Sequence, residues 1–181
     1  MLNTRRIAMD GVLAAVYFAL SYLAFYVIPN ELKLTFTSLT LVLAALLFSW
    51  YDACLVALVG EFLAQLLNTK YGLSVTTPIW VAIPVLHALA LGLCALFLGR
   101  KKPLAERTVP CVLAILGCGA FNALLNTAGM YFDSKIFGYY EYHLVFGLAL
   151  ARIGIAIATA AVIAALIIPI VRALRRQLPQ L

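Results

Sequence analysis

Polar positions are sparse along this chain and cut it into apolar runs. The runs lie at about 7–28, 35–49, 53–67, 78–98, 109–132 and 144–171, and short stretches between them hold most of the charge. About 20 apolar residues in a helix, rising 1.5 Å each, match the ~30 Å hydrocarbon core of a bilayer. The first, fourth, fifth and sixth runs reach that length, and each predicts a membrane-spanning helix. The second and third hold about 15 core residues each, ~23 Å of helix. They fit either two short spans or a hairpin with deeper ends, and are taken as spans whose ends protein shields. Trp50-Tyr51-Asp52 separates them. The expected fold is all-α, a bundle of six transmembrane helices in a single integral membrane domain, 1–181.

Local signals mark the joints. Pro29-Asn30 closes the first run, and NELKLTF (30–36) reads as a short polar loop. Gly72 reads as a turn, Thr76-Thr77-Pro78 as a helix start, and Pro84 as a kink inside the fourth run. DSKIFGYYEYH (133–143) reads as the loop between the fifth and sixth runs.

Composition agrees with this pattern. The chain is 65% hydrophobic and 11% charged, where soluble domains carry roughly 25% charge. The formal net charge of +6 invites a nucleic-acid reading, but its distribution removes it. Arg5, Arg6, Arg100, Lys101, Lys102, Arg107, Arg172, Arg175 and Arg176 fall at the termini and after the fourth run. Lys33, Lys70 and Lys135 alone fall in the three opposite loops. Lysine and arginine stay preferentially inside, so this asymmetry places both termini in the cytoplasm. The first run follows two arginines as a signal peptide would, yet its length and lack of a small-residue cleavage site mark it as retained. Cys54, Cys94, Cys111 and Cys118 sit within apolar runs without CxxC spacing and read as packing residues. Gly11, Ala15 and Ala19 recur every four residues down one face of the first helix, a stripe suited to close helix approach. Packing within the chain is the other use of such a stripe.

The chemistry lies in polar side chains set inside the apolar runs. Arg152 is the only arginine with a long apolar run on both sides. A guanidinium at the bilayer centre costs on the order of 3 kcal/mol or more, so it faces protein, water or ligand. Counting inward from the outer helix ends puts Glu61 and Gln65 roughly 5–10 Å deep, His87 roughly 15 Å, Asn122 and Asn126 roughly 9–15 Å, and Arg152 roughly 12 Å. Four helices thus place hydrogen-bonding groups in one layer of the outer half, as an outward-facing pocket requires. The structural alternatives are an intramembrane ion pair of Glu61 with Arg152, a satisfied core histidine at His87, and interhelical amide bonds at Asn122 and Asn126. Trp80, Tyr131, Tyr139, Tyr140 and Tyr142 cluster toward the outer rim, as ligand stacking or an interfacial belt would place them. No HExxH, GxSxG, P-loop or metal-ligand cluster is present, so neither an enzyme nor a cofactor site is implied. A chain without a P-loop must draw on ATP hydrolysed elsewhere.

At these residues the sequence resembles the substrate-binding (S) components of energy-coupling factor (ECF) vitamin transporters, over nearly its whole length. TRRIAMDGVLAAVYFALSYL is similar to their first helix, with the Ala15–x–x–x–Ala19 stripe, and LTFTSLTLVLAALLFSWYDACLVALVGEFLAQLL to their second and third. Many members have Phe-Gly-Pro where this chain has Phe48-Ser49-Trp50. LLNT at 124–127 and LALARIGI at 148–155, with Pro169 downstream, resemble the folate-type branch. The resemblance implies a multi-pass protein of the prokaryotic plasma membrane serving as the high-affinity capture subunit of an ECF-type ABC importer. Its implied partners are a micronutrient, a transmembrane coupling subunit that contacts the helix-one stripe at Gly11, Ala15 and Ala19, and two cytoplasmic ATPases. It also implies that the whole component topples in the bilayer to deliver its ligand.

For the substrate, Glu61 suits the amino-pyrimidinone edge of a pterin or 7-deazaguanine through two parallel hydrogen bonds. Trp80 suits stacking on such a ring, and Arg152 suits a carboxylate. A folate-like vitamin is expected ahead of a queuosine precursor or pantothenate. A ligand-free membrane scaffold and a self-sufficient exporter or channel are the alternatives of other classes.

Overall fold

The computed structural model of the chain describes residues 4–23, 25–28, 32–67, 73–100 and 102–177. Six helices carry the fold: α1 (Thr4–Tyr22), α2 (Ser38–Leu47), α3 (Trp50–Leu67), α4 (Thr77–Leu98), α5 (Thr108–Phe137) and α6 (Ala149–Gln177). A two-stranded antiparallel ribbon, β1 (Phe25–Ile28) with β2 (Leu32–Leu34), links α1 to α2. Among the described residues, four helical stretches are long and apolar enough to cross a membrane: Trp50–Leu67, Thr77–Leu98, Thr108–Phe137 and His143–Arg175.

Side-chain contacts fix the direction of the helices. Trp50, at the start of α3, packs on Gly92 late in α4. Late Cys94 of α4 meets early Cys118 of α5, their sulfurs 3.9 Å apart. Arg172, late in α6, donates to the backbone oxygens of Ala105 (2.8 Å) and Glu106 (3.2 Å) and to the Thr108 hydroxyl (2.7 Å) just before and at the start of α5. α3, α4, α5 and α6 therefore run alternately up and down. α1 lies along α3 with its start beside the start of α3, where Arg6 forms an ion pair with Asp52 and donates to Ser49 (2.9 Å). The apolar core fills this end of the bundle, around Leu41, Val56, Cys111, Ile163, Ile167 and Val171.

Several helix boundaries differ from those read off the sequence. The first run, expected helical to residue 28, leaves the helix at Tyr22, and Phe25–Ile28 is strand β1. Phe-Tyr-Val-Ile is aromatic and β-branched, which favours a pleated conformation once a partner strand exists. That partner is Leu32–Leu34, so part of the expected polar loop is ribbon, with Phe25 opposite Leu34 and Tyr26 opposite Lys33. Trp50-Tyr51-Asp52, expected as a separator, is the first turn of α3, with Asp52 favourably placed at the helix N-terminus. α5 continues to Phe137 through DSKIF, which read as loop, and ends at Gly138 with φ of 76°. The sixth run opens with a π-helical turn, His143–Gly147, before α6 proper. Pro29, Asn30, Lys70, Gly72 and Lys101, which carry turn and charge signals in the sequence, lie outside the described residues.

α2 is the exception in length. Ten residues give ~15 Å of helix, about half a hydrocarbon core. It is not left to lipid: Thr40, Leu41, Val42, Ala44, Ala45, Leu46 and Leu47 are buried, against α1, α3, α4 and α6. Its final turn leaves backbone carbonyls without helical partners. Arg175 of α6 reaches one of them, donating from Nη2 to the Leu46 carbonyl.

The α3–α4 contact depends on Gly92. A Cβ there would lie 2.4 Å from Trp50 Cβ and 2.6 Å from its Cα, so the backbone of α3 must move. Gly92→Ala is expected to cost roughly 1–3 kcal/mol as overpacking. It should appear as a lower melting temperature in detergent.

Candidate functional site

Toward the other end of the bundle the helices separate around a cavity of about 360 Å³, bounded in part by Leu41, Val42, Ile115 and Ile163 of the core. All six contribute lining residues, from Tyr17 on α1 and Leu41 on α2 to Ile155 and Thr159 on α6. Glu61, Gln65, Trp80, His87, Asn122, Asn126 and Arg152 all line it. Helical geometry explains the grouping. Glu61 and Gln65, and likewise Asn122 and Asn126, are four apart and share a face, while Trp80 and His87 are two turns apart on α4.

Each polar group is held in its own way. Glu61 accepts a hydrogen bond at Oε2 from the Tyr17 hydroxyl (2.8 Å) and at Oε1 from Gln65 Nε2 (2.8 Å). Asn126 Nδ2 donates to the backbone oxygen (2.8 Å) and side-chain oxygen (3.3 Å) of Asn122. His87 is 3% exposed, deep in the cavity wall. Trp80 donates from Nε1 to Asp133 Oδ1 (3.1 Å), and the Tyr139 hydroxyl donates to the other oxygen of the same carboxylate. This buried aspartate near the C-terminal end of α5 thereby holds the indole.

Arg152 occupies a double position. It lines the cavity, and its Nη1 and Nη2 donate to the carbonyls of Val145 (2.7 Å) and Leu144 (2.8 Å) in the π-helical turn. π-turns open carbonyls that a regular helix would use, and they recur at functional sites. Among the described residues Arg152 and Glu61 form no ion pair; the one that forms is Arg6 with Asp52 at the other end of the bundle. The carboxylate and the guanidinium enter the cavity from different helices, α3 and α6.

Aromatic side chains cluster around the α5–α6 connection. Tyr131 meets Tyr140 edge-on at 5.6 Å, Tyr142 lies 5.5 Å from Phe146, and Lys135 Nζ sits 3.9 Å from the centre of the Tyr140 ring. The stripe on α1 points elsewhere. Gly11, Ala15 and Ala19 are exposed, while Ala14 and Tyr17 on the opposite face are buried, so the stripe is not spent on packing within the chain. Among the described residues no group of three or more His, Cys, Asp or Glu side chains is placed to hold a metal ion.

Sequence reasoning missed Tyr17, Asp133 and the threonines Thr35, Thr37 and Thr159, which also line the cavity or hold its lining. Tyr17 carried one usable signal, its place one turn before Ser21 on the face of α1 opposite the stripe. Asp133 carried another, a lone acid at the end of an apolar run.

The bundle is thus apolar toward one end and holds a polar-lined cavity toward the other. Comparison with known proteins bears on it directly. Residues 5–174 match the family described as ECF transporter, substrate-specific component. No curated protein matches the chain significantly. Among solved structures, one described as "Structure and mechanism of the S component of a bacterial ECF transporter" superposes with a TM-score of 0.61 at 18% identity, covering 97% of this chain and 95% of that one. At that identity the likeness speaks for the fold, and the family match speaks for the rest. The chain belongs to the substrate-specific (S) components of ECF transporters, multi-pass proteins of the prokaryotic plasma membrane that capture a substrate for transport and are not enzymes.

Proposed function

We propose that the chain captures a folate-like vitamin: a flat, nitrogen-rich ring with a carboxylate-bearing tail, taken from outside the cell. In this reading both termini are cytoplasmic, the cavity opens outward, and the α1 stripe docks on a transmembrane coupling subunit served by two ATPases. The observation that carries the proposal is the convergence of a carboxylate, three amides, an imidazole and a guanidinium on one cavity, with the carboxylate and guanidinium on different helices. Glu61 suits the amino-pyrimidinone edge, Trp80 the ring face, and Arg152 the tail carboxylate. The cavity volume of about 360 Å³ falls at the lower end of small-molecule sites, roughly 300–1,000 Å³.

The test is gentle purification in detergent followed by denaturing mass spectrometry of the bound small molecule. A stoichiometric folate is the expected result. A 7-deazaguanine base would keep the role of Glu61 and remove that of Arg152; pantothenate would do the reverse. If the protein emerges empty, titration of tryptophan fluorescence with the same three compounds decides, because Trp80 lines the cavity and Trp50 does not. Silence with all three overturns the folate reading.

A further inference from the structure

A carboxylate that grips two adjacent N–H groups must present both oxygens in the plane of the ligand. A glutamate left to itself on a helix samples several rotamers, and fixing it costs entropy at the moment of binding. Glu61 is not left to itself. One oxygen accepts from Gln65 on its own helix and the other from Tyr17 on α1, each at 2.8 Å. An ionised carboxylate offers about four acceptor sites, so one on each oxygen remains open. The tie to Gln65 moves with α3, whereas the tie to Tyr17 fixes the carboxylate against another helix.

The neighbouring residue makes that second tie possible. Tyr17 is 2% exposed and lies flat on Gly60. A Cβ at position 60 would fall 2.6 Å from Tyr17 Cδ1, 2.8 Å from Cγ and 2.9 Å from Cβ. The last of these atoms is bound to the main chain of α1 and cannot swing away. The seat for the ring and the acceptor for its hydroxyl are thus consecutive residues of α3.

We propose that Tyr17 is a positioning residue for the substrate, its ring seated on Gly60 and its hydroxyl orienting Glu61 so that the free sites on both carboxylate oxygens meet the amino-pyrimidinone edge together. This rests on the reading that Glu61 contacts the substrate. Tyr17 acts through Glu61, so its contribution vanishes when Glu61 can no longer grip.

The experiment measures binding of folic acid, pterin and lumazine (the pteridine lacking the 2-amino group) by calorimetry in detergent. The proteins are the parent, Tyr17→Phe, Gly60→Ala, Glu61→Gln and the Tyr17→Phe/Glu61→Gln pair, each with its ligand-free melting temperature. Tyr17→Phe should bind folic acid about three- to tenfold more weakly, because the ligand must then order the Glu61 side chain itself. Its melting temperature should fall by no more than the loss of one hydrogen bond implies, and Gly60→Ala should bind as Tyr17→Phe does. The parent's preference for pterin over lumazine should shrink in Tyr17→Phe, which a packing role for Tyr17 would not cause. The double variant should bind no worse than Glu61→Gln, the non-additivity of groups acting as a unit. Parental affinity in Tyr17→Phe alongside a weakened Glu61→Gln, or additive losses in the double variant, overturns the positioning role and leaves the substrate reading standing. Unchanged affinity in Glu61→Gln, or no binding of folic acid by the parent, overturns the reading of Glu61 and this proposal with it.

Discussion

Glu61→Gln should weaken capture of the vitamin by roughly ten- to a hundredfold, with little change in the ligand-free fold. The substitution keeps volume and one acceptor but replaces the second oxygen with an amide donor. Facing the edge of an amino-pyrimidinone, that donor meets another donor. A hydrogen bond to a charged group contributes roughly 1.5–3 kcal/mol, which is the tenfold to hundredfold range. The fold tolerates the change because the new side-chain amide still accepts from Tyr17 through its remaining oxygen, and position 61 is only partly buried. Calorimetric titration with folic acid checks the affinity, and thermal melting checks the fold. An unchanged dissociation constant would remove Glu61 from the site.

The second large effect belongs to α1. Ala15→Trp should abolish assembly with the coupling subunit and cut transport to about a tenth or less, while ligand binding by the isolated chain stays parental. Ala15 is exposed at the middle of a stripe with Gly11 and Ala19, and a Cβ built on Gly11 meets nothing within 4 Å. Small residues on an outward helix face gain nothing from lipid, which is as apolar as leucine; their use is backbone approach by another helix. An indole at position 15 holds the partner off, and overpacking a close interface costs roughly 1–3 kcal/mol. Co-purification with a tagged coupling subunit reads assembly, and uptake in cells reads transport. Full assembly of the Ala15→Trp protein would place the docking face elsewhere.

How much of this was legible in the sequence depends on what each residue's role requires. Depth along a helix follows from counting, so Glu61, His87, Asn126 and Arg152 fall in one layer by arithmetic alone. Azimuth is harder. Repeats of four, as in Glu61 with Gln65, give two residues one face, but nothing in a lone Arg152 says which way it points. Roles that exist only between helices were invisible: Tyr17 reads as one aromatic among many until Gly60 is seen beneath its ring. Asp133 likewise fell into a stretch read as loop, because Lys135, Ser134 and Gly138 look like turn chemistry, and its bonds to Trp80 and Tyr139 exist only in the folded chain. Phe25–Ile28 failed for the converse reason. Four apolar residues in a row have no period, so the sequence cannot distinguish a helix end from a strand whose partner lies beyond a proline.

The bond from Arg175 to the Leu46 carbonyl sets an order on how such a protein can be made. α2 leaves the ribosome well before α6, yet its end and much of its side are completed by that later helix. Until α6 arrives, the Leu46 carbonyl at the end of the short helix lacks this donor. Contacts this distant in sequence form late, after the long intervening chain has been closed into a loop. The bundle is therefore locked from its C-terminal side, and a nascent chain lacking α6 carries an unfinished polar end that marks it as incomplete.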